Sequence, residues 1–213
     1  MSEQATVFIV DDNEAMRYYL RAFLEDEGFA VRAYASSRAF LEAYSPEGPG
    51  CLLLDVNMPG MSGLELQSRL QANGVAIPTI FMSGYGDIPM AVQAMQGGAV
   101  DFIEKPFRQQ VLLNSLRRAL EIGQARWHAS AMAREALALI ENLTNREQEV
   151  LERLVQGQAN KVIARELGIS DRTVEVHRKH VMRKLRARSL SKVVRIAYQA
   201  ERTFVDAQRF LAA

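Results

Sequence analysis

Asp11, Asp12, Asp55, Ser83 and Lys105 all follow, directly or within two residues, a short run of apolar or β-branched residues. These runs are Val7-Phe8-Ile9-Val10, Cys51-Leu52-Leu53-Leu54, Thr79-Ile80-Phe81-Met82 and Val100-Asp101-Phe102-Ile103. In an open parallel sheet, functional groups gather at the carboxyl ends of the strands, beside the point where strand order reverses. If the first and third strands are neighbours, three carboxylates converge in one small space. Their repulsion would raise pKa values or disorder the site unless a cation sits among them. An all-oxygen donor set suits a hard divalent ion, Mg²⁺ or Mn²⁺, held at roughly 2.1 Å with some of its waters retained. Lys105 adds a positive charge from a distant strand and Ser83 a hydroxyl donor, which together make a cradle for a phosphoryl group around a carboxylate nucleophile. Each group alone has an ordinary explanation: an Asp-Asp pair caps turns and helices, and a Ser or Lys at a strand end is commonly just solvated. It is the joint placement of all five that points to chemistry.

The elements needed to position them are legible. With Ala30-Val31-Arg32-Ala33-Tyr34 there are five strand-like runs, and the first, third and fourth of the five in chain order lack polar/apolar alternation, as strands buried on both faces do. Amphipathic segments predict helices near 14–27, 36–44, 63–72, 88–97 and 108–122. Five βα repeats make an α/β doubly wound, five-stranded parallel sheet. Ser62 with Glu65 forms a capping box, and Gly28 and Gly97-Gly98 stand where helices should stop. Cys51 reads as a small buried hydrophobe, and Met58, Met61, Met82, Met90 and Met95 as packing.

Residues 108–141 read as helix nearly throughout, with Gly123 as the point of bending or breakage. The expected organisation is a phosphoacceptor domain over 1–122, a helical linker over 123–142 and an all-α four-helix domain over 143–213. The charge is divided likewise. Residues 1–122 carry 15 acidic and 9 basic side chains, a net −6, whereas the remainder carries 10 acidic and 17 basic, a net +7. Only the second half is suited to a polyanion. No apolar run is long enough to span a bilayer and the start is not a signal peptide, so a cytoplasmic protein with no membrane partner is expected.

Beyond Leu143 helices are predicted over 145–156, 160–167, 171–186 and 190–202, with Thr144 and Glu147 as a second capping box. The stretch from Asn160 to Val174 is a helix-turn-helix pattern: Ile163 and Leu167 share a face, Ala164 is small where helices approach, Gly168 permits the turn and Ser170 caps the second helix. That helix turns Val174, Val181 and Leu185 inward and presents Arg172, Glu175, Lys179, Arg183 and Arg186 outward, a stripe fit for the major groove. His177 and His180 lack the further ligands that a zinc site needs.

Val10-Asp11-Asp12, the segment from Asp55 to Gly63, Ser83-Gly84 and Lys105-Pro106-Phe107 together resemble the receiver of a two-component response regulator. Gly84 to Val92 and Asp101 to Phe107 are similar in particular to the FixJ type. The resemblance implies Asp55 as phosphoacceptor, Asp12 as a direct metal ligand, Asp11 bound largely through water and Asn57 giving its backbone carbonyl. It further implies that Ser83 and Lys105 grip the phosphoryl oxygens and that Phe102 is the aromatic that turns inward on activation. Ser83 and Phe102 stand where Thr and Tyr are more frequent. The segments Leu143 to Leu151 and Thr173 to His180 resemble the LuxR-type output domain. This implies Glu175, Val176 and Lys179 as base-facing residues and Lys161, Arg172, Thr173 and His177 as phosphate contacts, with Leu190, Val193, Val194 and Ala197 pairing two output domains; Arg183, later on the charged stripe, is expected to point toward phosphates by its position alone. The implied partners are a sensor histidine kinase, promoter DNA, a second copy of the chain and RNA polymerase, with activation the commoner outcome.

Two rivals remain at this point. One is a Mg²⁺-dependent aspartyl-phosphate phosphatase, although its nucleophile and acid would follow a single strand and its cap domain has no counterpart here. The other is a receiver that works by protein contact without being phosphorylated.

Overall fold

The computed structural model describes residues 5–45, 47–84 and 88–211, the last eleven as backbone only. Tyr85, Gly86 and Asp87 of the FixJ-like stretch lie outside the described residues. The chain divides into two compact units, Met1–His128 and Ala129–Ala213.

The first unit alternates β1 (Thr6–Val10), α1 (Glu14–Asp26), β2 (Ala30–Tyr34), α2 (Ser37–Ala43), β3 (Gly50–Asp55), α3 (Gly63–Ala72), β4 (Thr79–Ser83), α4 (Ile88–Gln96) and β5 (Asp101–Glu104), and then enters α5 (Gln109–Glu141). All strand pairs are parallel, in the order β2-β1-β3-β4-β5. The three runs without alternation are thus the three central strands. Along β3, Cys51 and Leu53 pack towards α1 and α5, while Leu52 and Leu54 pack towards α2, α3 and α4. A strand covered on both faces has no polar side to show, which is why its sequence does not alternate. Met58 and Met82 are buried as expected, but Met95 is exposed on α4, because the packed side of that helix is carried by Ala94 and Met90.

Local signals set the boundaries. Asn13, Ser36 and Ser62 accept from Met16 N, Ala39 N and Glu65 N, and the Ser62–Glu65 capping box is complete in both directions. Gly28 and Gly98 adopt left-handed φ values of 86° and 77°, where a side chain would be strained.

Helix α5 runs through Gly123 without a break. The glycine serves close approach instead: a Cβ there would collide with the carbonyl oxygen of Gly50 at the start of β3. Three residues on, Arg126 donates to the Ala76 carbonyl at 3.0 Å.

In the second unit, α5 ends and α6 (Asn145–Val155), α7 (Asn160–Leu167), α8 (Asp171–Lys184) and α9 (Leu190–Leu211) follow. Ala136 is buried in one core with Leu143, Leu151, Val181, Leu185 and Val193. A second core joins Val150, Leu154, Ile163, Ala164 and Val174. Helix α9 continues past residue 202, since no Gly or Pro after Leu190 stops it. Helix α8 ends two residues sooner than expected. Arg186 lies beyond it at φ 50°, with Arg186 N donating to Arg183 O and Ala187 N to Met182 O. This is a left-handed closing turn that Gly usually supplies.

Candidate functional site

The carboxyl ends of β1, β3, β4 and β5 meet around one partly buried cation. Lys105 Nζ donates to Asp11 Oδ2 at 2.7 Å and to Asp55 Oδ1 at 2.6 Å. Both carboxylates are almost fully buried, and Ser83 is completely so. Lys105 is placed by its own backbone, whose N–H donates to Ser83 O at 2.7 Å, and is followed by a cis bond to Pro106. Asp11 is held on its other oxygen by Asn13 N at 2.8 Å. Asp12 and Asn57 are exposed at the rim, and Phe102 is half-buried against the core shared by α2, α3 and α4.

Burial is the largest influence on the Asp55 carboxyl and pushes it above the ordinary aspartate range; the Lys105 hydrogen bond and charge work against this, and the charges of Asp11 and Asp12 add to it. Burial would lower Lys105, but its bonds to Asp11 and Asp55 outweigh that and raise it. Three negative charges therefore face one ammonium, and the pocket remains short of positive charge. Among the described residues no three acidic, His or Cys side chains are gathered tightly enough to cage a metal by themselves. Oxygen donors, excess negative charge and an incomplete cage fit Mg²⁺, which binds through one or two carboxylates and keeps several waters.

One contributor to the pocket was missed as such in the sequence, where Gly63 reads only as the start of a capped helix. A Cβ at residue 63 would overlap the carbonyl oxygen of Asp55, and Gly63 N donates to Val56 O at 2.9 Å. Gly63→Ala is expected to cost the first unit about 2 kcal/mol, because backbone must move to admit the methyl. Calorimetry of its unfolding transition checks this.

In the second unit, Ile163, Ala164 and Val174 close the α7–α8 angle from inside, and Gly168 at φ 64° makes the turn. Ser170 accepts from Thr173 N at 3.1 Å and its hydroxyl bonds the Thr173 hydroxyl. Lys161, Arg172, Glu175, Val176, Lys179 and Arg183 are all exposed, whereas Thr173 and His177 are half-buried. Arg178 turns away from solvent and donates to Asn160 Oδ1 at 2.7 Å, fastening the start of α7 to α8. On α9, Leu190 and Val194 are exposed together with Tyr198, but Val193 and Ala197 belong to the interior. Four-residue spacing thus leaves an apolar stripe of Leu190, Val194 and Tyr198, with Tyr198 62% exposed.

Residues 7–117 match the response regulator receiver domain and residues 141–197 the bacterial regulatory proteins of the luxR family. The chain is a response regulator with a LuxR-type DNA-binding domain. The regulator is 47% identical over 193 residues to the transcriptional regulatory protein FixJ of Rhizobium meliloti, covering 90% of this chain and 94% of that protein. It is 43% identical over 196 residues to nodulation protein W of Bradyrhizobium diazoefficiens, covering 92% and 86%. Among solved structures it is similar to the response regulator StyR, with a TM-score of 0.79 and 44% identity over 92% of this chain and 100% of that one. Among its described residues no helix is long and apolar enough to cross a membrane.

Proposed function

We propose that a sensor histidine kinase phosphorylates this regulator on Asp55, and that the phosphorylated form dimerises and binds promoter DNA, most simply as an activator that recruits RNA polymerase. Residues 1–122 act as the receiver, 123–142 as the linker and 143–213 as the output domain. The observation that carries this reading is the bridge from Lys105 to both Asp11 and Asp55 in a buried pocket still rich in negative charge. Asp11, Asp12, Asp55 and the Asn57 carbonyl would hold Mg²⁺, which when bound supplies positive charge to the phosphoryl oxygens.

In the transfer, an Asp55 carboxylate oxygen attacks phosphorus. The bond to the kinase histidine nitrogen breaks, its electron pair stays with the imidazole, and an acyl phosphate remains on Asp55. The raised Lys105 pKa keeps the ammonium charged, so it can pass from the carboxylate to the phosphoryl group. Ser83, at the end of the neighbouring strand, donates its hydroxyl to the same group, and the space it vacates admits Phe102. The added charge of about 1.5 to 2 and the three acceptor oxygens favour that repacked state. Moving the population from 1% to 99% active would need about 5.5 kcal/mol of differential affinity.

In the output domain, α8 enters the major groove with Glu175, Val176 and Lys179 at base edges. Lys161, Arg172, Thr173, His177 and Arg183 meet phosphates, and the α9 stripe pairs two copies on DNA. Lys179→Ala is expected to weaken operator binding by about 1 to 3 kcal/mol and to relax discrimination at one base pair, as read by competition binding.

Incubation with acetyl phosphate and Mg²⁺ tests the proposal. A mass increase of one phosphoryl group, absent in Asp55→Asn and accompanied by dimer formation, supports it. Failure of the wild type to take up phosphate favours regulation by protein contact alone.

A further inference from the structure

The loop between β1 and α1 carries two of the pocket's three carboxylates, and they are held very differently. Asp11 has both side-chain oxygens engaged, one by Asn13 N and one by Lys105 Nζ. The Asp12 carboxylate is exposed and has no hydrogen-bond partner among the described residues, yet its charge is felt at Asp55. What fixes Asp12 must therefore act through its backbone. The side chain doing so is Arg17, one turn into α1. Its terminal Nη1 donates to the carbonyl oxygen of Asp11 at 2.9 Å and to that of Asp12 at 2.9 Å. The helix bearing it is anchored at the same loop, because Asn13 Oδ1 accepts from Met16 N at 3.1 Å and Asn13 O from Arg17 N at 3.0 Å.

We propose that Arg17 is a positioning residue for the metal site: by holding two successive carbonyls with one nitrogen, it fixes both peptide planes around Asp12 and so aims that carboxylate at the pocket. The inference rests on the proposed Mg²⁺-dependent phosphorylation and adds to it a residue outside the acidic cluster. Groups one shell out from a metal ligand commonly change metal affinity by roughly 10- to 100-fold when removed. The guanidinium is also a fixed positive charge beside a cation site, and a role through charge alone has the opposite sign. Deleting a repelling cation would strengthen Mg²⁺ binding, whereas releasing the loop would weaken it.

The experiment is a Mg²⁺ titration of the full-length, unphosphorylated chain, following the rise in the receiver's unfolding temperature, with phosphorylation by acetyl phosphate measured across the same Mg²⁺ series. In Arg17→Ala the Mg²⁺ concentration giving half the effect should rise about 10- to 100-fold. Labelling should be recovered at saturating Mg²⁺, and the metal-free unfolding profile should keep its cooperative transition. Arg17→Lys keeps the charge but replaces the planar donor, so its midpoint should also rise, and it decides the matter alone if the alanine variant does not fold. An unchanged or lowered midpoint in the folded variants overturns the proposal while leaving the phosphorylation reading intact. A wild type with no response to Mg²⁺ overturns both.

Discussion

Replacing Asp55 with Asn should abolish phosphoryl uptake and, in the unphosphorylated protein at neutral pH, make the receiver more stable. The gain comes from the cost of placing an ionised carboxylate there. Burial raises its pKa in the folded state, and the neighbouring Asp11 and Asp12 add to the rise despite Lys105. Between the unfolded and folded pKa values the native form binds more protons than the unfolded chain. Stability therefore falls as pH rises through that window, just above the ordinary carboxylate range, and the penalty persists at neutral pH. Asn cannot ionise, so the variant should lose this pH dependence. Mg²⁺ should raise the wild-type transition temperature and raise that of the variant much less, because only the wild type presents the full negative charge to the ion. Calorimetry over a pH series measures both effects, and a variant less stable than the wild type at neutral pH would contradict the electrostatic account.

The second large effect should lie far from that pocket. Glu147, almost fully buried, accepts from Lys184 Nζ at 2.6 Å and from Thr144 N at 2.8 Å. Burial would raise its carboxyl, but the Lys184 and Thr144 bonds outweigh it and hold the pKa at about 2. The contact fastens the start of α6 to the last turn of α8. Glu147→Ala should cost the output domain about 2 kcal/mol, less than the roughly 3 to 5 of a fully enclosed pair, because Lys184 stays partly in water. This folded pKa is depressed, so the stabilisation is complete above the ordinary value of 4.5 and disappears as pH falls towards about 2. Urea unfolding of the second unit should show that slope in the wild type and not in the variant. Equal acid sensitivity in the two would remove Glu147 from this role.

The difference between these two sites shows what a single sequence can and cannot reveal. Strand-end positions announce themselves: β1, β3 and β4 each carry a continuous apolar run, so the polar residues that close those runs, Asp11, Asp55 and Ser83, stand out and the sheet brings them together. Helix α8 is equally visible, because its core side is spaced against its charged side. No comparable local pattern links Glu147 to Lys184, which lie 37 residues apart and meet only through packing. Gly63 and Gly123 were legible as conformational signals but not as contacts, since close approach to Asp55 and Gly50 depends on tertiary geometry. Gly123 illustrates the consequence, for a residue with poor helix propensity remains in mid-helix where any side chain would meet a strand. On α9, Val193 and Ala197 have the same periodicity as Leu190 and Val194, and only the packing of α6 and α8 decides which pair faces inward.

Borohydride trapping tests most directly whether the acidic pocket makes an acyl phosphate. An aspartyl phosphate is reduced by borohydride to homoserine, which peptide mass mapping locates. After treatment with acetyl phosphate and Mg²⁺, homoserine is expected at position 55 and nowhere else, and chelation of the metal should remove it. Conversion at another residue, or equal conversion without Mg²⁺, would contradict the assignment of Asp55 and its neighbours as a metal-assisted phosphoryl acceptor.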